Sequence, residues 1–117
     1  MGRLTTHVLD TSAGVAAAGI RIELHDLKGD APQLLANAVT GPDGRCAAAL
    51  LDGPAMRVGR YALTFYVAEY FRNRGVELPE PAFIDQVVVR IGIARSDENY
   101  HVPLLISPWS YAVYRGS

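Results

Sequence analysis

Short runs of β-branched and aromatic residues recur at regular intervals along the whole chain, and Gly, Pro and Asp separate them. Several runs alternate apolar and polar side chains, which is the pattern of a strand with one buried face. The sequence shows no series of long helical patterns, which parallel α/β crossovers would need. About eight short strands at this spacing predict an antiparallel β-sandwich. The predicted strands are residues 5–10, 20–24, 33–40, 46–51, 60–68, 86–93, 100–106 and 109–114.

One short helix is expected at residues 69–74, where helix-compatible side chains precede Gly75. A glycine directly after the last turn is a frequent helix end. The chain has 117 residues and no evident linker or repeat, so it is predicted to form one domain over residues 1–117. The predicted fold class is therefore all-β with one short helix.

Charge and hydropathy exclude several classes of partner. The net charge of −1 at pH 7 gives no electrostatic case for binding nucleic acid or an anionic membrane. No apolar run approaches the ~18 residues of a membrane span, and the amino end shows no apolar secretory segment. The lone cysteine, Cys46, excludes an internal disulfide and is expected to be a buried thiol on a strand. These features predict a reduced, cytoplasmic protein without nucleic-acid or membrane partners.

Two histidines, His7 and His101, are the first candidates for chemistry because both lie on predicted strands. Residues 100–106 alternate so that His101 faces away from the apolar row, and His7 likewise lies on the less apolar face of its strand. His25 lies on a charged strand face and is expected to be solvated. A lone strand histidine is more often a hydrogen-bonded structural group than a functional one. Spacing alone does not show whether His7 and His101 converge.

Two further features favour a functional interpretation of this pair. Arg45 directly follows the Gly-Pro-Asp-Gly turn at residues 41–44, and Tyr-Arg-Gly-Ser stands at residues 114–117. The sequence contains no spacing typical of a zinc site, a nucleophile elbow or a phosphate loop, so neither a metal nor a cofactor is expected. The chemistry left open is attack by water assisted by histidine, with arginine binding an anionic substrate or a developing oxyanion.

Three segments resemble the 5-hydroxyisourate hydrolases, the enzymatic branch of the transthyretin-like proteins. The stretch LTTHVLDTSAGVAAAGIRIEL resembles the first signature of that family, with His7 at its histidine. GPDGRC resembles the segment that supplies the active-site arginine, here Arg45. YHVPLLISPW followed by YRGS resembles the second signature, which carries His101 and the tetrapeptide. The resemblance covers residues 4–117, and the thyroid-hormone-binding transthyretins share the fold but lack the tetrapeptide and the histidine at position 7.

The resemblance implies a transthyretin-like sandwich of two four-stranded sheets and a homotetramer with active sites in a channel between dimers. It also implies hydrolysis of 5-hydroxyisourate, the unstable product of urate oxidation, at an amide-type bond of its six-membered ring. The chain departs from the family at Ala16, where proline is usual, and at residues 112–113, where Ser-Thr is usual. Two alternatives stay open: a non-catalytic carrier of an aromatic ligand in the same channel, and a structural or adhesive β-sandwich module.

The resemblance also implies roles for the site residues. His7 and His101 would activate and orient water and move its proton, with either of them as the base. Arg45 would hold the substrate oxygens and stabilise charge on the attacked carbonyl. The tetrapeptide would close the pocket and orient the ring, and its glycine would let the backbone approach closely. Apart from the resemblance, the sequence leads us to expect a carboxylate on its serine, and we hypothesise that this carboxylate fixes a cationic neighbour. The expected substrate-binding residues are Tyr114, Arg115, Gly116 and Ser117.

Overall fold

The computed structural model describes residues 2–117, and within them the regular structure is nine strands and one α-helix. The strands are β1 (Arg3–Asp10), β2 (Val15–Ala16), β3 (Arg21–Asp26), β4 (Gln33–Val39), β5 (Leu51–Asp52), β6 (Gly59–Phe65), β7 (Val87–Ile93), β8 (Tyr100–Ile106) and β9 (Tyr111–Val113). The helix α1 spans Val67–Asn73, and Gly53–Ala55 form a single 3₁₀ turn. Over residues 2–117, no helix is both long and apolar enough to cross a membrane. The expected domain bounds include Met1, which lies outside the described residues.

The strands form two packed sheets. The first has the order β2-β1-β8-β9, with β5 paired to the start of β1, and the second has the order β4-β3-β6-β7. The predicted all-β sandwich with one short helix is confirmed. The first sheet has five strands where four were expected, because the two-residue strand Val15–Ala16, which was not predicted, pairs with Leu9 and Asp10 at the end of β1.

The central pair of the first sheet, β1 and β8, is parallel, whereas every other strand pair within residues 2–117 is antiparallel. A parallel pair needs a long crossover connection. Here the paired residues lie 96 positions apart, as in the contact between Thr6 and Val102, so nearly the whole chain serves as that connection. The expectation of an antiparallel sandwich therefore holds everywhere except at this pair.

The predicted strand at residues 46–51 is wrong for most of its length. Residues 46–49 are irregular, and the short strand β5 begins only at Leu51. Three successive alanines have neither the β-branched side chains nor the alternating face that strands favour. Cys46 is consequently a half-buried thiol on an irregular segment, not a residue of a strand.

Alternation along β1 and β8 directs the even-numbered residues into the core. Leu4, Val8, Leu104 and Ile106 are all 0% exposed. Full burial of such an aliphatic side chain contributes about 1.5–3 kcal/mol relative to exposure. Because successive side chains of a strand point to opposite faces, the odd-numbered residues of both strands lie on the outer face of the first sheet.

Buried hydrogen bonds hold β1 in place from the inner side. The Thr6 hydroxyl donates to the carbonyl of Val102 at 2.7 Å, which links β1 to β8. The Asp10 carboxylate is 2% exposed and accepts from the Tyr70 hydroxyl at 2.9 Å, which links the end of β1 to α1. It also accepts from the Ser12 backbone N–H at 3.0 Å. Leaving such buried groups unpaired costs about 1–3 kcal/mol each, so these contacts fix the strand that carries the outer-face residues.

Candidate active site

The outer face of β1 and β8 brings His101 beside two residues of β1. The parallel register places Thr5 opposite His101 and His7 opposite Pro103. The Thr5 Oγ1 atom lies 2.8 Å from Nδ1 of His101. His7 and His101 therefore stand on neighbouring strands and on the same face, two residues apart in register.

Arg45 reaches this face because the turn before it docks against β1. Gly44 has a φ of 77°, in the region that favours glycine, and its carbonyl accepts the Val8 N–H at 2.9 Å. The Asp43 carboxylate accepts the Arg45 N–H at 3.0 Å, which rigidifies the turn. His7 and Arg45 then form an isolated antiparallel β-bridge. The backbone of Arg45 is thus fixed next to His7.

The same turn determines which ring nitrogen of His7 carries a proton. Nε2 of His7 lies 3.0 Å from the backbone oxygen of Asp43. A carbonyl oxygen only accepts hydrogen bonds, so Nε2 must be the protonated, donating nitrogen. A Cβ on Gly44 would stand 3.2 Å from Cδ2 of His7 and 2.4 Å from the Val8 oxygen. The glycine is therefore required for the turn to approach β1 and the His7 ring.

The carboxyl-terminal segment runs back along β8 and packs against His101. The Gly116 N–H donates to the His101 carbonyl at 2.7 Å. A Cβ on Gly116 would stand 2.8 Å from Cδ2 of His101, closer than real Cβ atoms approach, and 3.1 Å from Cγ of Pro103, which is also tight. The terminal segment consequently runs close to the His101 ring at Gly116, and the next residue, Ser117, lines the cavity described below.

Arg115 is directed away from the histidines. Its Nη2 donates to Oε1 of Glu98 at 3.2 Å and to the Asn99 carbonyl at 3.0 Å. The guanidinium carbon lies 4.1 Å from the centre of the Tyr100 ring, within cation–π range. These contacts anchor the terminal segment to the connection between β7 and β8. Tyr114 is 60% exposed and lies, with Arg115, along an apolar cleft of about 380 Å³ at the edge of the sandwich.

A cavity of about 270 Å³ lies between these elements. Its lining residues are Arg3, Thr5, Arg45, Asn99, His101 and Ser117. A neighbouring cavity of about 140 Å³ extends along residues 45–49 and includes Cys46. Burial, and then the Asp43 carboxylate, raise the pKa of the Cys46 thiol, which makes it a poor nucleophile at neutral pH.

The electrostatics of the cavity favour a neutral His101. Burial, and then repulsion from Arg45 and His7, lower the pKa of His101 below its usual value of about 6.5. Neutral imidazole therefore predominates at pH 7, which is the form that accepts a proton. No carboxylate within residues 2–117 forms an ion pair with the Arg45 guanidinium, whereas Arg3 lies 3.8 Å from Asp52. The cavity thus combines a proton acceptor with cationic groups.

His25 does not belong to this site. It is half-buried on the second sheet, where it lines a separate, more open cavity of about 500 Å³ with Thr64 and Arg90. The expectation that His25 is a solvated residue therefore holds only in part. The smaller cavity brings His101 together with Arg3 and Arg45, whereas His7 is not among its lining residues. Within residues 2–117, no group of three His, Cys, Asp or Glu side chains is placed to hold a metal ion.

Three lining residues were not identified from the sequence as functional: Arg3, Thr5 and Asn99. A signal for the first two was present, because positions 3, 5 and 7 share one face of a strand. Counting back from His7 two residues at a time along the strand leads to Thr5 and then to Arg3. Asn99 precedes β8 in an irregular turn, so no periodic pattern identifies it.

Comparisons with known proteins agree on one family. The family described as HIUase/Transthyretin matches residues 4–116. A 5-hydroxyisourate hydrolase of Pseudomonas aeruginosa is 56% identical over 117 residues, which cover 100% of this chain and 93% of that protein. The solved structure of Klebsiella pneumoniae 5-hydroxyisourate hydrolase matches with a TM-score of 0.83 and 32% identity, over 100% of both chains. A crystal structure of (S)-allantoin synthase matches with a TM-score of 0.94 and 44% identity, over 99% of this chain and 44% of that longer one.

Proposed function

This chain belongs to the HIUase/Transthyretin family, and we propose that it hydrolyses 5-hydroxyisourate by attack of water on a ring carbonyl. Relatives that match it along its whole length are 5-hydroxyisourate hydrolases. The observation that carries the proposal is the cavity on the outer face of β1 and β8, which joins the imidazole of His101 to the guanidinium of Arg45. One domain over residues 1–117 would hold this whole site.

His101 is the base in this mechanism. Its lowered pKa keeps the ring neutral at pH 7, so it can take a proton from water. Nδ1 faces Thr5, which leaves Nε2 for the water molecule. The water oxygen bonds to the carbonyl carbon while the carbonyl π electrons move onto oxygen. When this tetrahedral intermediate collapses, the ring C–N bond breaks and the departing nitrogen receives the proton.

His7 is the second acid–base group. Its Nε2–H is held by the Asp43 carbonyl, which fixes the ring plane beside β8. With Nε2–H engaged in this way, Nδ1 is free to accept a hydrogen bond or a proton from water and, once protonated, to return that proton to the departing nitrogen. The fixed ring does so without first reorganising, which is how preorganised groups lower a barrier.

Arg45 binds the oxygens of the substrate and stabilises the oxyanion. Its backbone is held by the bridge to His7, and no carboxylate of the described residues neutralises its side chain. Loss of one oxyanion-stabilising group typically costs about 10²–10³ in kcat.

The tetrapeptide closes the substrate pocket through unequal contributions of its members. Ser117 lines the cavity and Gly116 supports His101, so both act at the ring of the substrate. Tyr114 is the first residue of the tetrapeptide and lines the neighbouring apolar cleft. Arg115 acts through its hold on Glu98 and Asn99, which keeps the segment against β8.

We expect the purified protein to accelerate the decay of freshly generated 5-hydroxyisourate. Urate oxidase supplies the substrate, and its ultraviolet absorbance is followed with and without the protein. The His101→Asn variant serves as the control for contaminating activity. A decay rate equal to the spontaneous one would contradict the proposal, and tight binding of an aromatic ligand without hydrolysis would favour the carrier alternative.

Activity in the same assay should survive exhaustive chelation. The expectation rests on the sequence, whose three histidines and one cysteine show none of the usual ligand spacings of a zinc site. The measurement compares initial rates before and after dialysis against a strong chelator. A loss of rate that added zinc restores would show that a metal takes part.

We propose that the active form is a homotetramer. Strands β7 and β9 each form one edge of their sheet, and unpaired edges favour assembly. Large apolar side chains are exposed near these edges, with Val88 at 53%, Trp109 at 60% and Tyr111 at 50%. Sedimentation should give about four times the 12.7 kDa subunit mass. A fully active monomer at assay concentration would contradict a site that depends on assembly.

We also propose a cytoplasmic location. Cys46 has no second cysteine in the sequence with which to form an internal disulfide, and the site works through uncharged imidazole at neutral pH. Both properties suit a reducing, neutral compartment.

A further inference from the structure

Two successive threonines of β1 make separate contacts with β8. The Thr6 hydroxyl points inward and donates to the Val102 carbonyl at 2.7 Å, which is a structural bond between the strands. The Thr5 hydroxyl points outward, and its oxygen lies 2.8 Å from Nδ1 of His101. Thr5 also lines the cavity. In the proposed mechanism Thr5 is only the neighbour of Nδ1, and the direction of the hydrogen bond between them is still open.

A neutral imidazole carries one proton, and the partner of Nδ1 influences which nitrogen holds it. If Nδ1–H donates to Thr5 Oγ1, Nε2 keeps a lone pair and accepts a proton from water. If the Thr5 hydroxyl donates to Nδ1, Nε2 carries the proton and His101 cannot act as a base. The direction of this one hydrogen bond therefore decides whether His101 is competent.

We infer that Thr5 is a positioning residue that accepts the Nδ1–H of His101 and so leaves Nε2 free for the attacking water. This inference rests on the proposed function, since it deepens the role of the same site. The hydroxyl hydrogen of Thr5 is then directed into the cavity, where water or a carbonyl oxygen of the substrate accepts it. The cationic lining of Arg3 and Arg45 draws oxygen atoms of such molecules to that place.

The geometry makes Thr5 well suited to this task. Thr5 and His101 are paired residues of a parallel ladder, so their backbones are held in register on adjacent strands. Threonine is β-branched and restricted about χ1, so its hydroxyl loses little entropy when it holds the ring. A Cβ built on Gly116 would stand 2.8 Å from Cδ2 on the other side of the ring, so the terminal segment runs close to that side. The contact at Nδ1 and the limited space beside Cδ2 together restrict the ring orientation.

The kinetic test compares Thr5→Val, Thr5→Ser and Thr11→Val. Valine keeps the shape and removes the hydroxyl, so we expect kcat to fall about tenfold or more while KM changes little. Serine restores the hydroxyl and should return kcat to near the wild-type value. Thr11→Val is the matched control, because the Thr11 hydroxyl donates to Ile106 at the far end of the same strand pair. A kcat of Thr5→Val equal to that of Thr11→Val would overturn the inference.

A spectroscopic test does not depend on turnover. In the ¹⁵N-labelled wild-type protein at a pH above the pKa of His101, Nδ1 should give the shift of a protonated nitrogen and Nε2 that of an unprotonated one. Thr5→Val should show a mixture of tautomers or the reverse assignment. A wild-type ring protonated at Nε2 would overturn the inference, even if Thr5→Val fails to fold. If the wild-type protein shows the expected tautomer but does not hydrolyse 5-hydroxyisourate, the proposed function fails and the positioning by Thr5 stands.

Discussion

Replacement of His101 by asparagine should lower kcat by about two orders of magnitude or more, the usual scale for loss of a general base. Asparagine retains a polar side chain near Thr5 but cannot take a proton from water. His7→Asn should cause a loss of similar scale, because it removes the second acid–base group. The measurement is the steady-state rate on freshly generated 5-hydroxyisourate. His25→Asn is the matched control, because His25 lines a different cavity on the second sheet.

The pH dependence of the wild-type protein identifies the base independently. A base must be unprotonated, so kcat/KM should fall as the pH drops through the pKa of His101. Burial, Arg45 and His7 lower this pKa, so the acid limb should have its midpoint below the ordinary histidine value of about 6.5. This limb should be lost in the residual activity of His101→Asn. If His25→Asn lost as much activity as His7→Asn and His101→Asn, the assignment of the chemistry to the cavity beside His101 would be wrong.

Deletion of residues 114–117 should abolish most activity and leave a folded sandwich. The deletion removes the backbone that supports the His101 ring and the side chain of Ser117 from the cavity. The core loses little, since Tyr114, the largest side chain removed, is 60% exposed. Activity, circular dichroism and thermal melting together test the prediction. An unfolded product would mean that the tetrapeptide is structural.

A point substitution tests the same contact without shortening the chain. A methyl group on Gly116 would stand 2.8 Å from Cδ2 of His101, so Gly116→Ala should displace the ring or the segment and lower kcat. Gly29→Ala is the matched control, because its nearest neighbour to a new Cβ is 4.0 Å away, in an exposed turn. Equal rates for the two alanine variants would show that the segment need not touch His101.

The sequence predicts which side chains of a strand face the core better than it predicts which strands pair with each other. Alternation along residues 100–106 gives both the bounds of β8 and the outward position of His101. It says nothing about the parallel pairing of β1 with β8, because period-two alternation is the same in parallel and antiparallel ladders. The strand expected at residues 46–51 was wrong because small apolar side chains without branching do not specify a strand.

The site shows the same division between local pattern and tertiary contact. His7 forms a backbone bridge with Arg45 and stands on the strand next to His101, and the roles of these three residues stay predictions. The direction of Arg115 was not foreseeable, since it depends on Glu98 and Tyr100 across a turn. Contacts of this kind depend on how distant segments pack together, so no regular spacing of residues in the sequence predicts them.

The parallel pairing of β1 with β8 also has a consequence for how the protein acquires activity. Thr5 and His101 lie 96 positions apart, so the site forms only when a very long loop closes. Contacts of such high sequence separation slow folding, and they leave the edge of β1 open until β8 arrives. A ribosome must therefore synthesise the chain past residue 101 before His101 meets Thr5. During synthesis the growing chain is inert as a catalyst, and the open edge of β1 is where premature pairing with another chain would begin.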